Sequence, residues 1–312
     1  MSIYETKKKI LLLGKSGSGK TSMRSIIFSH YSPYDTRRLG PTMDVENISV
    51  RVLGRLQLTL WDCGGQENFM FSYFSTQREY IFKSVEMLIY VFDMEARDFE
   101  SELLYLEQCL DAIKVYSKDA KIVCLLHKMD LVSAETRDRI VNEKTAQLMK
   151  RTGKLAVEVF STSIFEPSLY RAWSRIMNSI MPNIEIIRQH LRQFCEVADV
   201  AEVVLFEKTS FLAIAEYQAQ EARARKGTFD EMSSILKTFN LALNNKRSTS
   251  FRSIRIRLKG FILIITNFTK NTVLMVITDN PAMTVATLSS NIKIVCEHFK
   301  KLEGPDPTEA AR

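Results

Sequence analysis

The chain has 312 residues, 46% of them hydrophobic and 25% charged, and carries a net charge of +7. That length accommodates two domains of ordinary size, and that balance excludes a disordered chain. The positive charge permits contact with an anionic surface without requiring it. Five scattered cysteines and four isolated histidines exclude a disulfide scaffold and a zinc-ligand cluster, and they fit a reducing compartment.

Taken in chain order, the first ~180 residues alternate short apolar runs with amphipathic stretches, the pattern of βαβ units and a mostly parallel sheet. Lys9–Leu13 reads as a strand and Lys20–His30 as the helix after it. Val45–Val52 and Leu56–Trp61 read as two antiparallel strands turning near Gly54. Met87–Phe92, Lys121–Leu126 and Ala156–Phe160 read as buried strands, with helices over Glu100–Tyr116, Ala134–Thr152 and Leu169–Ile180. The expectation is an α/β, doubly wound, six-stranded sheet whose loops gather at one edge. Met181-Pro182-Asn183 then marks a boundary, which divides the chain into 1–183, 184–303 and a polar tail, 304–312.

Beyond the boundary the pattern changes. Ile184–Ala198 reads as a helix and Glu202–Phe206 and Phe211–Glu216 as strands; Phe229–Asn244 reads as a second helix. Phe251–Leu258, Phe261–Asn267 and Val273–Thr278 are strands, and Thr284–Leu302 closes the domain as a helix. This order implies an α+β domain with a central antiparallel sheet.

Five elements carry the chemistry. Gly14-Lys15-Ser16-Gly17-Ser18-Gly19-Lys20-Thr21 fits the GxxxxGK[ST] phosphate loop and lies between a strand and a helix. The amides of Ser16, Gly17, Ser18 and Gly19, with the helix N-terminus, suit an anion. Lys20 is placed to reach the β- and γ-phosphates, and the Thr21 hydroxyl to ligate Mg²⁺. Asp62, in Trp61-Asp62-Cys63-Gly64-Gly65-Gln66, suits the same metal. Gly65 lets its amide approach the γ-phosphate, and Gln66 is placed to orient the attacking water. Thr42, after Gly40-Pro41, suits metal capping and γ-phosphate sensing. At His127-Lys128-Met129-Asp130 the Asp130 carboxylate can accept two hydrogen bonds from guanine N1 and N2, donors that adenine lacks, while Lys128 packs along the base. Thr162-Ser163-Ile164 follows the last strand, where a backbone amide from Ser163 or Ile164 can meet the base oxygen.

Together these elements resemble the Ras-like GTPase superfamily. The runs GKSGSGKTSMRSIIFSHY from Gly14, Gly40-Pro41-Thr42, LWDCGGQENFM from Leu60 and HKMD at His127 are similar to the Rag/Gtr GTPases of nutrient signalling, and to their Rag A/B (Gtr-one-like) arm. The resemblance implies a switch that binds GTP and GDP with Mg²⁺ and hydrolyses GTP slowly, with Gln66, Lys20 and Thr42 as its catalytic residues. His127 stands where most Ras-like proteins have asparagine. Ser16 stands where Ras proteins have a glycine beside the γ-phosphate, and its side chain crowds Gln66 or an arginine finger. Fast hydrolysis then needs an activating protein in trans, a finger being worth roughly 10³–10⁵ in rate.

By the same resemblance the second domain is roadblock-like and pairs with a Rag C/D-type GTPase. The heterodimer docks on a membrane-tethered scaffold at the lysosomal or vacuolar surface and relays amino-acid sufficiency to the target-of-rapamycin kinase complex. A cytoplasmic location with recruitment through partners is expected, and a nuclear pool is compatible with it. The alternatives are a GTP-regulated scaffold and a small GTPase of another pathway. Ser2, the polar start of the chain and its Glu309-Ala310-Ala311-Arg312 end lead to the expectation of no lipid anchor.

Two surfaces stand out. Asn68–Phe74 carries four aromatics directly after Gln66 and reads as a nucleotide-sensitive loop that faces an effector. Ile254, Ile256 and Leu258 alternate with Arg255 and Arg257, as on a half-buried strand with its basic face in water. No nucleic-acid-binding motif accompanies these arginines.

Overall fold

The computed structural model describes residues 6–29, 31–51, 56–96, 98–153, 155–219, 235–237, 252–258 and 260–303. They form two compact units, one of Thr6–Val50 with Gln57–Ala172 and another that begins at Trp173.

The first unit is built on six strands: β1 (Thr6–Leu13), β2 (Val45–Arg51), β3 (Leu56–Cys63), β4 (Val85–Asp93), β5 (Lys121–His127) and β6 (Val157–Thr162). Their spatial order is β2-β3-β1-β4-β5-β6. β1, β4, β5 and β6 run parallel. Between β2 and β3 only residues 52–55 intervene, too few for a crossover, so this pair runs antiparallel and the sheet is mixed. Ile10–Leu13 and Met87–Phe92 are buried without interruption, as strands covered on both faces must be.

The helices of this unit are α1 (Lys20–Phe28), α2 (Glu67–Phe74), α3 (Arg78–Phe82), α4 (Phe99–Tyr116) and α5 (Ala134–Thr152); α6 (Ser168–Ile180) follows β6. The N-terminus of α4 is set by Asp98, whose carboxylate accepts the Ser101 amide at 3.0 Å. Because the four parallel strands end on one edge, their register brings Asp93 beside His127 and His127 beside Thr162. The strand order reverses at β1, whose C-terminal end opens into the loop Gly14–Gly19; a crevice forms at such a point.

The second unit holds α7 (Ile184–Ala198), α8 (Val285–Glu303) and five strands: β7 (Glu202–Glu207), β8 (Ala213–Gln218), β9 (Ser253–Leu258), β10 (Phe261–Asn267) and β11 (Thr272–Thr278). The sheet order is β8-β7-β11-β10-β9, antiparallel throughout. Val204, Phe206, Ile265 and Met275 form its packed core. The helix expected over Phe229–Asn244 lies outside the described residues apart from Ile235–Lys237, which are helical.

Two expectations are corrected. Asn68–Phe74 is not a loop but most of α2. Met70 and Tyr73 are buried, and Phe69 and Phe74 pack on the core, which leaves Phe71 as the outward aromatic at 76% exposure. Short length and aromatic composition hide the helix, because burial at Met70, Tyr73 and Phe74 supplies only one i, i+3, i+4 set. In β9, Ile254 packs inward and Arg255 and Arg257 face out as expected, but Ile256 is exposed. Among the described residues β9 is the edge of its sheet, with no strand beyond it.

Candidate active site

A cleft of about 270 Å³ opens at the C-terminal end of β1. Ser16, Gly17, Gly19, Lys20 and Thr21 line one side; Leu39, Gly40, Pro41, Thr42, Cys63 and Gly65 line the other. Lys20 is 5% exposed. Its ammonium donates to Gly14 O at 2.7 Å, Lys15 O at 2.8 Å and, more weakly, Ser18 Oγ at 3.4 Å. Burial lowers its pKa to about 8 against the opposing pull of Asp62. The loop carbonyls therefore fold the lysine over its own backbone, with its charge at the floor of the cleft.

Thr21 lies in the first turn of α1 and Thr42 leads into β2, yet their hydroxyls meet at 2.5 Å. Asp62 is fully buried at the end of β3, where its Oδ2 forms an ion pair with Arg24 Nε at 2.8 Å and the Thr21 hydroxyl lies against the carboxylate. Burial raises its pKa, opposed first by Arg24 and then by the Thr21 hydroxyl and Lys20. Two facing hydroxyls beside a buried carboxylate are a hard, oxygen-only donor set, which fits Mg²⁺.

The loop after β3 packs on the phosphate loop itself. Ser16 N donates to Gly65 O at 2.8 Å. A Cβ on Gly65 would fall 2.4 Å from Gly14 O, Lys15 C and Ser16 N, so no other residue fits this approach. Gly64 N donates to Asp44 O at 2.7 Å, and the Tyr73 hydroxyl donates to the same carbonyl at 3.1 Å. The segments bearing Thr42 and Gln66 are thereby zipped together. Gln66 is half-buried and forms the N-cap of α2.

On the other side, the turn after β5 places Lys128 in the left-handed region (φ 64°). Its ammonium donates to Asp93 Oδ2 at 2.7 Å, with Glu95 at 3.7 Å. Asp130 accepts the Ser163 hydroxyl at 2.6 Å, and Ser163 Oγ accepts the Phe165 amide at 3.1 Å. The Ser163 amide donates to Ser168 Oγ at 3.2 Å. His127 is 1% exposed, and its Nδ1 pairs with Thr162 Oγ1 at 2.9 Å. Its other ring edge abuts the phosphate loop: a Cβ on Gly19 would lie 2.7 Å from Cδ2 and 2.9 Å from Nε2. Gly19 also has φ +93°, so the position demands glycine twice over. Burial holds the His127 pKa down to about 4, which makes the ring neutral at physiological pH. The histidine thus bridges the base-side and phosphate-side loops by contact.

The structure gathers Ser16, Gly17, Gly19, Lys20, Thr21, Thr42 and Gly65 around the cleft; Ser18 and Asp62 are fully buried, and neither Asp62 nor Gln66 is among the lining residues. Lys128, Asp130, Ser163 and Ile164 lie on the adjoining loops that follow β5 and β6. Sequence reading missed two buried charges. Arg24 in α1 sits among Met23, Ile26 and Ile27, and an arginine inside that apolar run was the available signal. Glu102 in α4 is fully buried, and burial pushes its carboxyl up to about 7; nothing in its local sequence marks it.

This fold and site define a P-loop GTPase of the Ras-like kind. The sequence model described as "Gtr1/RagA G protein conserved region" matches residues 9–236. The chain is 44% identical to Ras-related GTP-binding protein B of Rattus norvegicus, covering 96% of this chain and 87% of that one. It is 39% identical to GTP-binding protein GTR1 of Saccharomyces cerevisiae, covering 95% and 96% of the two chains. A weaker likeness, 26% over 67% of this chain and 53% of the other, is to Ras-related GTP-binding protein C of Homo sapiens. The chain belongs to the Gtr1/RagA family. It is a GTP-binding switch and a GTP hydrolase.

Proposed function

We propose that this chain is the Rag A/B-type subunit of a Rag-type heterodimer that relays amino-acid sufficiency to the target-of-rapamycin kinase complex. The observation that carries the switch part is the contact of Thr21 with both Thr42 and Asp62, since it ties the segment that leads into β2 to the phosphate loop. In this reading Thr21 and Thr42 hold Mg²⁺, with Asp62 behind them. The metal, when bound, neutralises charge on the β- and γ-phosphates. Lys20 leaves the Gly14 and Lys15 carbonyls for the phosphates, and Gln66 orients the attacking water. Asp130 reads guanine N1 and N2 while Ser163 Oγ fixes its carboxylate; with the Ser163 amide engaged by Ser168, the Ile164 amide serves the base oxygen.

Family membership and a likeness to a C-type relative support the heterodimer, with the antiparallel second domain, a roadblock-like fold in this reading, as its dimerisation module. Slow hydrolysis, an activating protein in trans and recruitment to the lysosomal or vacuolar surface by a membrane-tethered scaffold complete the proposal. No described helix is long and apolar enough to cross a membrane.

The test is purification of the tagged full-length chain from its own cell, with the mass and subunit identities of the complex measured. One partner of similar size bearing its own phosphate loop, in equal amount, is the expected outcome. A lone monomer that binds and hydrolyses GTP refutes the heterodimer and leaves the switch.

A further inference from the structure

Arg24 is 9% exposed on a helix face that otherwise buries Met23, Ile26 and Ile27. A buried guanidinium is costly unless paired, and this one is paired twice. Its Nε lies 2.8 Å from Asp62 Oδ2, and its terminal nitrogen NH2 forms an ion pair with Glu46. The three groups come from three elements: α1, which starts at the phosphate loop; β2, into which Thr42 leads; and β3, whose last residues include Asp62.

We propose that Arg24 is a positioning residue for the metal end of the site. Its Nε forms an ion pair with the Oδ2 of Asp62, and its terminal nitrogen pairs with Glu46 on the strand that follows Thr42, so one guanidinium links the two carboxylates. This presets the aspartate and the threonine toward one divalent cation, and it rests on the GTP-switch reading above. The local charges show why the effect is one of orientation. A lone guanidinium against Asp62 would oppose a divalent cation, but Glu46 offsets its charge, so the pair bears on the orientation of Asp62 rather than on the net charge beside it. Lysine cannot substitute, because a point charge on a flexible stem does not bridge two carboxylates in fixed geometry.

The experiment loads the full-length chain with a fluorescent GDP and follows its release while Mg²⁺ is titrated from excess chelator upward. The double variant Arg24→Met with Glu46→Gln removes the tether without changing local charge, and Arg24→Lys keeps the charge and loses the fork. The Mg²⁺ midpoint for slowing release is expected to rise about tenfold in the double variant, the scale of a lost outer-shell partner, and by less in Arg24→Lys. Release in chelator should stay within about twofold of wild type, since orientation toward the cation is irrelevant without it. Unshifted midpoints overturn the proposal, and so does a change confined to the chelator rate, which would mark a packing role. If the double variant does not fold, the Arg24→Lys midpoint decides alone. A wild-type chain that holds no GDP, or whose release ignores Mg²⁺, refutes the switch reading instead.

Discussion

Acidification should weaken the first unit through one buried side chain, His127. An unfolded chain carries this histidine near its ordinary pKa of 6.5, whereas burial holds the folded value down to about 4. Above pH 6.5 the ring is neutral in both states and contributes nothing to the pH dependence. As pH falls through 6.5 the unfolded chain takes up a proton that the folded chain refuses, so stability is lost progressively until the folded ring also protonates, around and below pH 4. At pH 5.5 the loss is on the order of 1 kcal/mol, it is negligible at pH 7.5, and it approaches about 3 kcal/mol near pH 4. For a unit of this size, a loss on the order of 1 kcal/mol is a fall of roughly 2–4 °C in Tm. The assay is a thermal melt of GDP-loaded wild type and His127→Asn at pH 7.5 and 5.5. Other groups titrate in this window, notably Glu102, whose raised pKa acts in the opposite sense. They are common to both proteins and cancel in the difference. His127→Asn should lose less on acidification by that margin. An equal loss in the two refutes the claim that this ring is excluded from protonation by burial.

Three further outcomes follow from the same geometry. Asp130→Asn should weaken GTP binding and favour xanthosine triphosphate in a competition assay, since the amide no longer accepts two donors from guanine; an unchanged preference removes Asp130 from base reading. Gln66→Leu should slow single-turnover GTP hydrolysis while leaving nucleotide affinity within about threefold, the separation expected of a group that acts only in the transition state. Trp173 is fully buried, so Trp173→Ala should cost about 3–5 kcal/mol in denaturant unfolding; a loss below about 1 kcal/mol would mean that the site collapses around the deletion.

Most of the architecture was legible in the chain. Uninterrupted apolar runs such as Ile10–Leu13 and Met87–Phe92 announce strands buried on both faces, and the helical spacing over Ala134–Thr152 returns the observed helix end to end. The phosphate loop, the loop after β3 and the turn after β5 were readable because their chemistry demands particular residues at particular spacing. Where reading failed, the cause was context. Eight residues of α2 are too short to display a period, and the exposure of Ile256 depends on which strand forms the edge.

The sequence by itself determined the class of site, because glycines, a lysine, hydroxyls and a carboxylate in fixed order suffice to name a phosphate-binding, guanine-reading loop set. Only the tertiary structure decided which side chains support one another across elements. The pairing of His127 with Thr162 and its contact with Gly19, the meeting of Thr21 with Thr42, and the grip of Arg24 on Asp62 and Glu46 join residues up to 108 positions apart. The reason is physical: local spacing governs backbone loops and helix faces. A buried charge or imidazole finds its partner only when parallel strands end on a common edge and bring distant loops together.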